Sequence, residues 1–301
     1  MIKRIINSIA FRYHKYIAPF KYSYLRCFYP FPHIMTIDET VKILLCSNKS
    51  IARYGDGELN MIHNYNLGFQ NYNEHLAARL KDVLISNNDN CLIALPGPLA
   101  SLEGQVPGAK KIWKKLISQY YLKYYKNFDF NRKYPNSFIS RPYMDFIDKL
   151  HVENHFCELK KIWDGKRILI VEGQNSKLGV GNDLFEGVER CRRIITLNKN
   201  AFSLYDKILK NIIKYHQEDD LVILALGPTA TVLAYDLSQL NIRALDLGHI
   251  DIEYEWYKKG AESKIKIEGK DVNELNSFNS NTDELDMSII YTKQIITKIL
   301  N

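Results

Sequence analysis

The 301-residue sequence lacks several features that would assign it at once to a familiar class. No apolar run approaches the roughly 18–20 residues that a membrane-spanning helix needs. The N-terminus has neither the compact apolar block nor the small-residue cleavage site of a signal peptide. The five cysteines are widely spaced and form no C-x-x-C pair, which argues against a disulfide framework or zinc knuckle and predicts a cytosolic protein. The glycine patterns of dinucleotide-binding and P-loop proteins are missing as well.

Acidic residues are absent from the first part of the chain. No Asp or Glu precedes Asp38, whereas residues 1–37 carry six Lys or Arg. A second basic stretch at 110–133 holds eight Lys or Arg and a single acid, Asp129. The formal net charge of +7 is therefore the sum of two basic segments and a mildly acidic remainder. This distribution argues against a protein that coats nucleic acid, and we expect no nucleic-acid partner.

The first 17 residues have the pattern of a basic amphipathic helix. One arc carries the apolar and aromatic side chains Ile2, Ile5, Ile6, Ile9, Tyr13, Tyr16 and Ile17. Pro19 is predicted to end this helix. Such a helix can lie on an anionic membrane surface, or it can pack on the body of the protein by the same stripe.

From Thr36 onward, helix and strand patterns alternate. Thr36 and Glu39 predict a capping box that opens a helix. Strands are predicted at 50–54, 91–95, 137–140, 167–171, 193–197, 221–226 and 242–247, with helices between most of them, a helix start at 182–187 and a last helix near 289–300. The continuous apolar run at 221–226 is typical of a parallel strand that is covered on both faces. The sequence therefore predicts an α/β fold with a Rossmann-like, doubly wound, mostly parallel sheet.

The segment Arg-Tyr-Gly-Asp-Gly-Glu at 53–58 follows a predicted strand. In open α/β sheets, ligands bind beyond the carboxyl ends of the strands. Asp56 and Glu58 can converge on one hard cation that bridges diphosphate oxygens, with Gly55 permitting unusual backbone angles and Arg53 as a further charge partner. The alternative is a structural turn in which Asp56 caps the next helix and Arg53 pairs with Glu58.

Residues at other predicted strand ends could complete a phosphate-binding site. They are Gly227, Thr229 and Thr231 in Leu-Gly-Pro-Thr-Ala-Thr, Lys177 in the glycine-rich run 172–183, and Arg141 in Ser-Arg-Pro-Tyr. Amides at a helix N-terminus, hydroxyls and cations all bind anions. Each position also has an ordinary structural interpretation, as a capped turn or a surface ion pair.

The segment 248–256 is rich in acids. In an extended chain Asp251, Glu253 and Glu255 would point the same way, an unfavourable row unless a cation or substrate uses it. One of them, with Asp251 as first choice, or His249 could act as the general base for an acceptor hydroxyl. In a helix the same acids would spread around the surface.

Together and in this order, these motifs resemble those of the bacterial GT-D glycosyltransferases, formerly DUF1792. The motifs are R-Y-G-D-G-E, S-R-P-Y, E-G-x-x-S-x-x-G-V-G-N-D-L, L-G-P-T-A-T-V-L-A-Y-D-L and G-H-I-D-I-E-Y-E-W. The resemblance covers about residues 36–275. It implies a Rossmann-like fold of the GT-D type and a metal-dependent transfer of sugar from a nucleotide donor, typically UDP-glucose. It also places the D-x-E motif of the family on Asp56 and Glu58, as ligands of Mn²⁺ or Mg²⁺.

The resemblance leads to a full functional hypothesis. The expected enzyme moves glucose or galactose from a UDP-sugar to a glycan or glycoprotein acceptor, in surface-polysaccharide or adhesin glycosylation. It is expected in the cytoplasm, with peripheral contact to the anionic inner face of the membrane. Residues 1–35 form a basic N-terminal segment, 36–275 the glycosyltransferase domain, and 276–301 a tail that docks on it. The alternatives are a metal-dependent nucleotide-sugar hydrolase or phosphotransferase, and a non-catalytic UDP-sugar-binding scaffold.

Overall fold

The computed structural model describes residues 17–270 and 285–301. The helices are α1 (Ala18–Phe28), α2 (Ile37–Leu45), α3 (Asp56–Ile62), α4 (Glu74–Ile85), α5 (Pro107–Tyr124), α6 (Val152–Lys160), α7 (Tyr205–Tyr215), α8 (Pro228–Gln239), α9 (Ile250–Lys258) and α10 (Leu285–Gln294). The strands are β1 (His33–Ile34), β2 (Ser50–Arg53), β3 (Cys91–Ala94), β4 (Lys133–Tyr134), β5 (Arg167–Gly173), β6 (Arg190–Thr196), β7 (Leu221–Ala225), β8 (Ala244–Asp246) and β9 (Ile295–Lys298).

A seven-stranded sheet in the order β3-β2-β8-β7-β5-β6-β9 forms the centre of the fold. Each pair of neighbouring strands in it is parallel. The short strands β1 and β4 form a separate parallel pair. The predicted α/β fold with a mostly parallel sheet is confirmed.

Hydrophobic residues on both faces of the sheet bury it. In β5, Leu169 and Val171 belong to the core cluster that includes α4, α5, α7 and α8. Their neighbours Ile168 and Ile170 belong to the cluster on the other face, with residues of α2, α6 and α9. Successive side chains of a central strand therefore point to opposite faces, and both faces are buried. For this reason the central strands are continuous apolar runs in the sequence.

The structure tests part of what the sequence predicts near the N-terminus. The capping box is confirmed, since the Thr36 hydroxyl accepts from the Glu39 N–H at 3.1 Å and Glu39 accepts from the Thr36 N–H at 2.8 Å. Pro19 lies in the first turn of α1, and whether the helix predicted for residues 2–17 ends before it stays a prediction. A proline is tolerated there, since the first N–H groups of a helix have no intrahelical partner. The helix predicted for residues 2–17 lies outside the described residues, apart from Ile17.

Three other predicted elements differ in the structure. Residues 137–140 form a 3-10 turn rather than a strand, because the Asn136 side chain accepts from the Phe138 N–H at 2.9 Å. Residues 182–187 form turns instead of a helix start. The C-terminal helix predicted near 289–300 ends at Gln294, and β9 then pairs with β6 as an edge strand of the sheet. The β-branched residues of β9 favour that pairing.

Helix α1 packs against α5, where the Ser118 hydroxyl donates to the Ala18 carbonyl at 2.6 Å. Ala18 and Leu25 are the buried residues of α1. In the parts of the chain that the structure describes, no helix is both long and apolar enough to cross a membrane.

Candidate active site

A cleft of about 630 Å³ lies at the carboxyl ends of β2, β5, β7 and β8. Its polar lining includes Arg53, Asp56, Glu58, Asn66, Ser137, Arg141, Asp145, Ser176, Asp246, His249 and Lys264. Its apolar lining includes Phe69, Ile112, Trp113, Leu116 and Phe138. A cleft of this size is in the range that holds small-molecule ligands, and its position is the usual one for a ligand site in an open α/β sheet.

The turn between β2 and α3 carries the acidic motif. Gly55 is the N-cap of α3, and the Glu58 Oε2 accepts a hydrogen bond from the Gly55 N–H at 2.7 Å. Asp56, the first residue of the helix, is exposed, while Glu58 is half-buried and both line the cleft. The structural alternative from the sequence is wrong in its detail, since Glu58 rather than Asp56 caps the helix and Arg53 pairs with another acid.

That acid is Asp246, at the end of β8. The Arg53 Nη2 lies 3.2 Å from the Asp246 Oδ1, and the Arg53 Nε donates to the Asp246 carbonyl. The Arg53 Nη1 donates to the Ser137 carbonyl at 3.0 Å and the Ser140 hydroxyl at 2.6 Å. Arg53 therefore joins β2, β8 and the 137–140 turn, and most of its N–H groups are engaged by the protein rather than directed at a ligand.

Sequence reasoning missed Asp246. A signal was present, because this acid interrupts an apolar strand near its carboxyl end, two residues before Gly248. The Thr231 hydroxyl lies 3.2 Å from its Oδ2, and burial raises the pKa of its carboxyl despite the opposing effect of Arg53.

Negative charge is concentrated around Glu58. Burial raises the pKa of the Glu58 carboxyl to about 7, and the carboxylates of Asp246 and Asp56 add to this effect. Among the described residues, no group of three or more His, Cys, Asp or Glu side chains is arranged to hold a metal by itself. The donor set nevertheless fits a hard divalent cation, since Mg²⁺ is commonly held by one or two carboxylates together with substrate phosphates. A cation would offset the repulsion between these carboxylates, which adds to the effect of burial on the pKa of Glu58.

Some of the other residues predicted to contact phosphate line the cleft, and the rest do not. Gly227 and Arg141 line the cleft. Thr229 and Thr231 are fully buried, so their hydroxyls do not reach a ligand there, a correction to the prediction. The reason is that α8 packs on the face of the sheet against β2 and β8, which buries most of its side chains. Lys177 lies between the lining residues Ser176 and Leu178 but is not itself part of the described lining.

The acids of the 248–256 segment lie on α9 and face inward, contrary to both predicted arrangements. Asp251 and Glu253 are fully buried. Asp251 pairs with Lys270 at 2.7 Å and accepts from the Asn182 amide at 2.7 Å. The structure does not bring Asp251 or Glu253 to the cleft, whereas His249, at the N-terminus of α9, lines it.

Glu253 supports the Ser-Arg-Pro-Tyr segment from behind. Its Oε2 accepts from the Tyr143 N–H at 3.1 Å and the Met144 N–H at 3.0 Å. Its Oε1 lies 3.9 Å from the Arg141 Nε. Glu253 thereby positions the segment that presents Arg141 to the cleft.

The apolar wall of the cleft was not predicted either. It comes mainly from α5, whose Ile112, Trp113 and Leu116 line it, together with Phe138 of the 137–140 turn. The lining also includes Phe69, whose ring lies against Gly227, where an added Cβ would be 2.6 Å from the ring. Gly227 also has a positive φ of 54°, so a glycine is favoured there by both sterics and backbone conformation.

Comparison with known proteins places these features in context. The sequence profile of the glycosyltransferase GT-D fold family matches residues 51–275. A probable glycosyl transferase, Gly, from Streptococcus gordonii is 39% identical over 267 residues, which are 88% of this chain and 39% of that protein. Glycosyltransferase GlyD from Streptococcus pneumoniae is 37% identical over 266 residues, 88% of this chain and 32% of that protein. The chain thus spans about a third to two fifths of the length of these curated relatives.

Solved structures agree with the sequence comparison. A domain of unknown function 1792, described as having a distinct glycosyltransferase fold, superposes with a TM-score of 0.83 at 36% identity, covering 90% of this chain and 96% of that chain. A DUF1792 glycosyltransferase from Streptococcus sanguinis superposes with a TM-score of 0.82 at 34% identity, covering 89% of this chain and 99% of that chain.

Proposed function

Because the chain belongs to the GT-D glycosyltransferase family, we propose that it transfers glucose or galactose from a UDP-sugar to a glycan or glycoprotein acceptor. Asp56 and Glu58 hold Mn²⁺ or Mg²⁺ in this proposal. The reaction takes place in the cytoplasm, at the inner face of an anionic membrane, and serves surface-polysaccharide or adhesin glycosylation.

The cleft itself carries the proposal. It combines a group of carboxylates, Asp56, Glu58 and Asp246, with an apolar wall that includes Trp113 and Phe138. A nucleotide-sugar diphosphate has the matching parts, since its charged centre needs a cation and its base is a flat, partly apolar ring. The nearby carboxylates of Asp56 and Asp246, whose charges add to the effect of burial on the pKa of Glu58, support a cation as one component of the complete site.

The residues of the cleft have distinct roles in the proposed reaction. A divalent cation at Asp56 and Glu58 would offset the charge that develops on the UDP leaving group. Arg141, supported by Glu253, contributes positive charge near the diphosphate. His249 takes the place of Asp251 as the group that accepts the proton of the acceptor hydroxyl, because it is the predicted base that lines the cleft.

The double variant Asp56→Asn with Glu58→Gln tests the proposal. The purified protein is incubated with Mn²⁺ and a panel of UDP-sugars, with and without candidate glycan acceptors, and UDP release is measured. We expect acceptor-dependent release by the wild type and its loss in the double variant and in EDTA. The glutamine keeps an oxygen that can cap α3, so thermal unfolding is expected to change little.

Glu39→Gln is the matched control. Glu39 holds the same position in the capping box of α2, outside the cleft. This variant therefore shows how much UDP release changes when a capping carboxylate outside the cleft is lost. Full turnover in EDTA or in the double variant would contradict the proposal, and UDP release that is independent of any acceptor would favour a hydrolase.

A further inference from the structure

The exposed face of α1 carries an aromatic stripe that the described part of the chain leaves uncovered. Phe20, Tyr24 and Phe28 are spaced four residues apart, so they lie along one side of the helix. Their exposed fractions are 75%, 47% and 71%. The core side of α1 is a different face, occupied by Ala18 and Leu25. The stripe is therefore not needed to hold α1 in place.

The charges on the two packed helices have one sign. Helices α1 and α5 together contain seven Lys or Arg and no Asp or Glu. Lys111 and Lys115 of α5 are exposed and lie one turn apart. The 16 residues that precede the described part add four more Lys or Arg and no acid. A partner that covers this surface is thus expected to be negatively charged.

We propose that the α1 stripe and the lysines of α5 form a docking surface for a lipid bilayer with anionic headgroups. Aromatic side chains partition into the interfacial region of a bilayer, while Lys and Arg are attracted to anionic headgroups. The combination fits lipid better than a second copy of this chain, because two copies of such a basic surface would repel each other. Such a surface would bring the enzyme to the membrane at which the proposed function places its reaction. The purpose of the binding rests on that function, but the binding itself does not.

The docking surface is adjacent to the active-site cleft. Helix α5 contacts α1 through Ser118 and lines the cleft through Ile112, Trp113 and Leu116. Helix α5 therefore contacts both α1 and the cleft, and its diameter is about 10 Å. A bilayer bound to α1 would hold the cleft near the membrane surface.

Sedimentation with vesicles tests the surface. The full-length protein is mixed with phosphatidylcholine vesicles that contain or lack phosphatidylglycerol. We expect binding to the anionic vesicles that weakens as salt is raised. The triple variant Phe20→Ala, Tyr24→Ala, Phe28→Ala is expected to bind about tenfold more weakly or worse, and Lys111→Glu with Lys115→Glu to lose the preference for anionic lipid.

A matched control removes three exposed apolar side chains elsewhere, Ile147→Ala, Leu150→Ala and Ile213→Ala, and is expected to bind like the wild type.

Three results would overturn the proposal. They are undiminished binding by the aromatic variant, loss of binding only on deletion of residues 2–16, and a change from dimer to monomer in the aromatic variant without any lipid binding by the wild type. UDP-sugar turnover without vesicles is measured in parallel and should be unchanged in the aromatic variant. A wild type that binds vesicles but has no turnover would refute the proposed function and leave the docking surface standing.

Discussion

The guanidinium of Arg53 and the carboxylate of Asp246 connect the carboxyl ends of the adjacent strands β2 and β8, with the Arg53 Nη2 3.2 Å from the Asp246 Oδ1. Both side chains are largely buried, at 12% and 4% exposure. Glu58 lies close enough for the Asp246 charge to raise its pKa. The pair therefore shapes the acidic side of the cleft as well as the sheet edge beneath it.

Removal of this arginine is predicted to be strongly destabilising. Arg53→Met leaves the Asp246 carboxylate buried without its cation, which typically costs about 3–5 kcal/mol. Lys133→Met breaks the exposed pair with Glu39, whose side chains are 54% and 48% exposed, and is expected to cost at most about 1 kcal/mol. Urea unfolding at pH 7 measures both. Similar losses in the two variants would refute the importance of burial at the Arg53 pair.

A second prediction concerns the close approach of Phe69 and Gly227. Gly227→Ala strains a positive φ of 54° and places a Cβ 2.6 Å from the Phe69 ring. Gly260→Ala strains a similar φ of 57° but has nothing within 4 Å of its Cβ. The control is expected to lose about 1–2 kcal/mol from backbone strain alone, and Gly227→Ala to lose more.

The double variant Gly227→Ala with Phe69→Ala isolates the collision. The double variant relieves the contact. Its loss in free energy of unfolding should therefore be smaller than the sum of the losses in the two single variants. Simple additivity would show that the ring moves aside at little cost.

Much of the site was predictable because it is local to strand ends. Asp56, Glu58, Gly227, Arg141 and His249 all line the cleft, as expected where the carboxyl ends of parallel strands meet. Each of these residues follows a strand or a turn that can be recognised from a short stretch of sequence.

The positions of Asp251 and Glu253 could not be predicted in the same way. Their burial depends on distant partners, namely Lys270, 19 residues after Asp251, and Asn182, 69 residues before it. The pairing of β9 with β6 is non-local too, and it decides that the chain ends in a strand. Periodicity within a segment contains no information about such partners.

Acid is predicted to destabilise the fold through His155. Burial lowers the pKa of this imidazole. The Ile139 carbonyl, 2.8 Å from its Nε2, and Asp38, near its other nitrogen, oppose the shift only in part. A folded-state pKa below that of the unfolded chain means that the unfolded chain binds the proton more readily. Stability is therefore lost as pH falls below about 6.5, the ordinary histidine value.

Urea unfolding between pH 7.5 and 5.5 measures this loss. His155→Gln should flatten the pH dependence, whereas His151→Gln, at a histidine whose side chain is 86% exposed, should leave it as in the wild type. If the free energy of unfolding of His155→Gln depends on pH as strongly as that of the wild type, other groups cause the acid sensitivity.

The final prediction concerns Lys270, which binds two acids of α9. Its Nζ lies 2.7 Å from the Asp251 Oδ2 and 3.1 Å from the Glu255 Oε1, and its side chain is 5% exposed. Lys270→Met leaves these carboxylates buried without a cation and should cost about 3–5 kcal/mol. The segment between α9 and Lys270 also brings Lys264 to the cleft, so the KM for a UDP-sugar should rise in the same variant.

Lys259→Met provides the control, since Lys259 contacts the same Glu255 at 4.0 Å from an exposed position and its loss should cost at most about 1 kcal/mol. Urea unfolding and steady-state kinetics distinguish the possible outcomes. If Lys270→Met lowers stability but leaves the KM unchanged, the ion pairs hold α9 without positioning Lys264. If both variants are as stable as the wild type, the buried acids of α9 do not need a cation, and their burial must be explained by protonation instead.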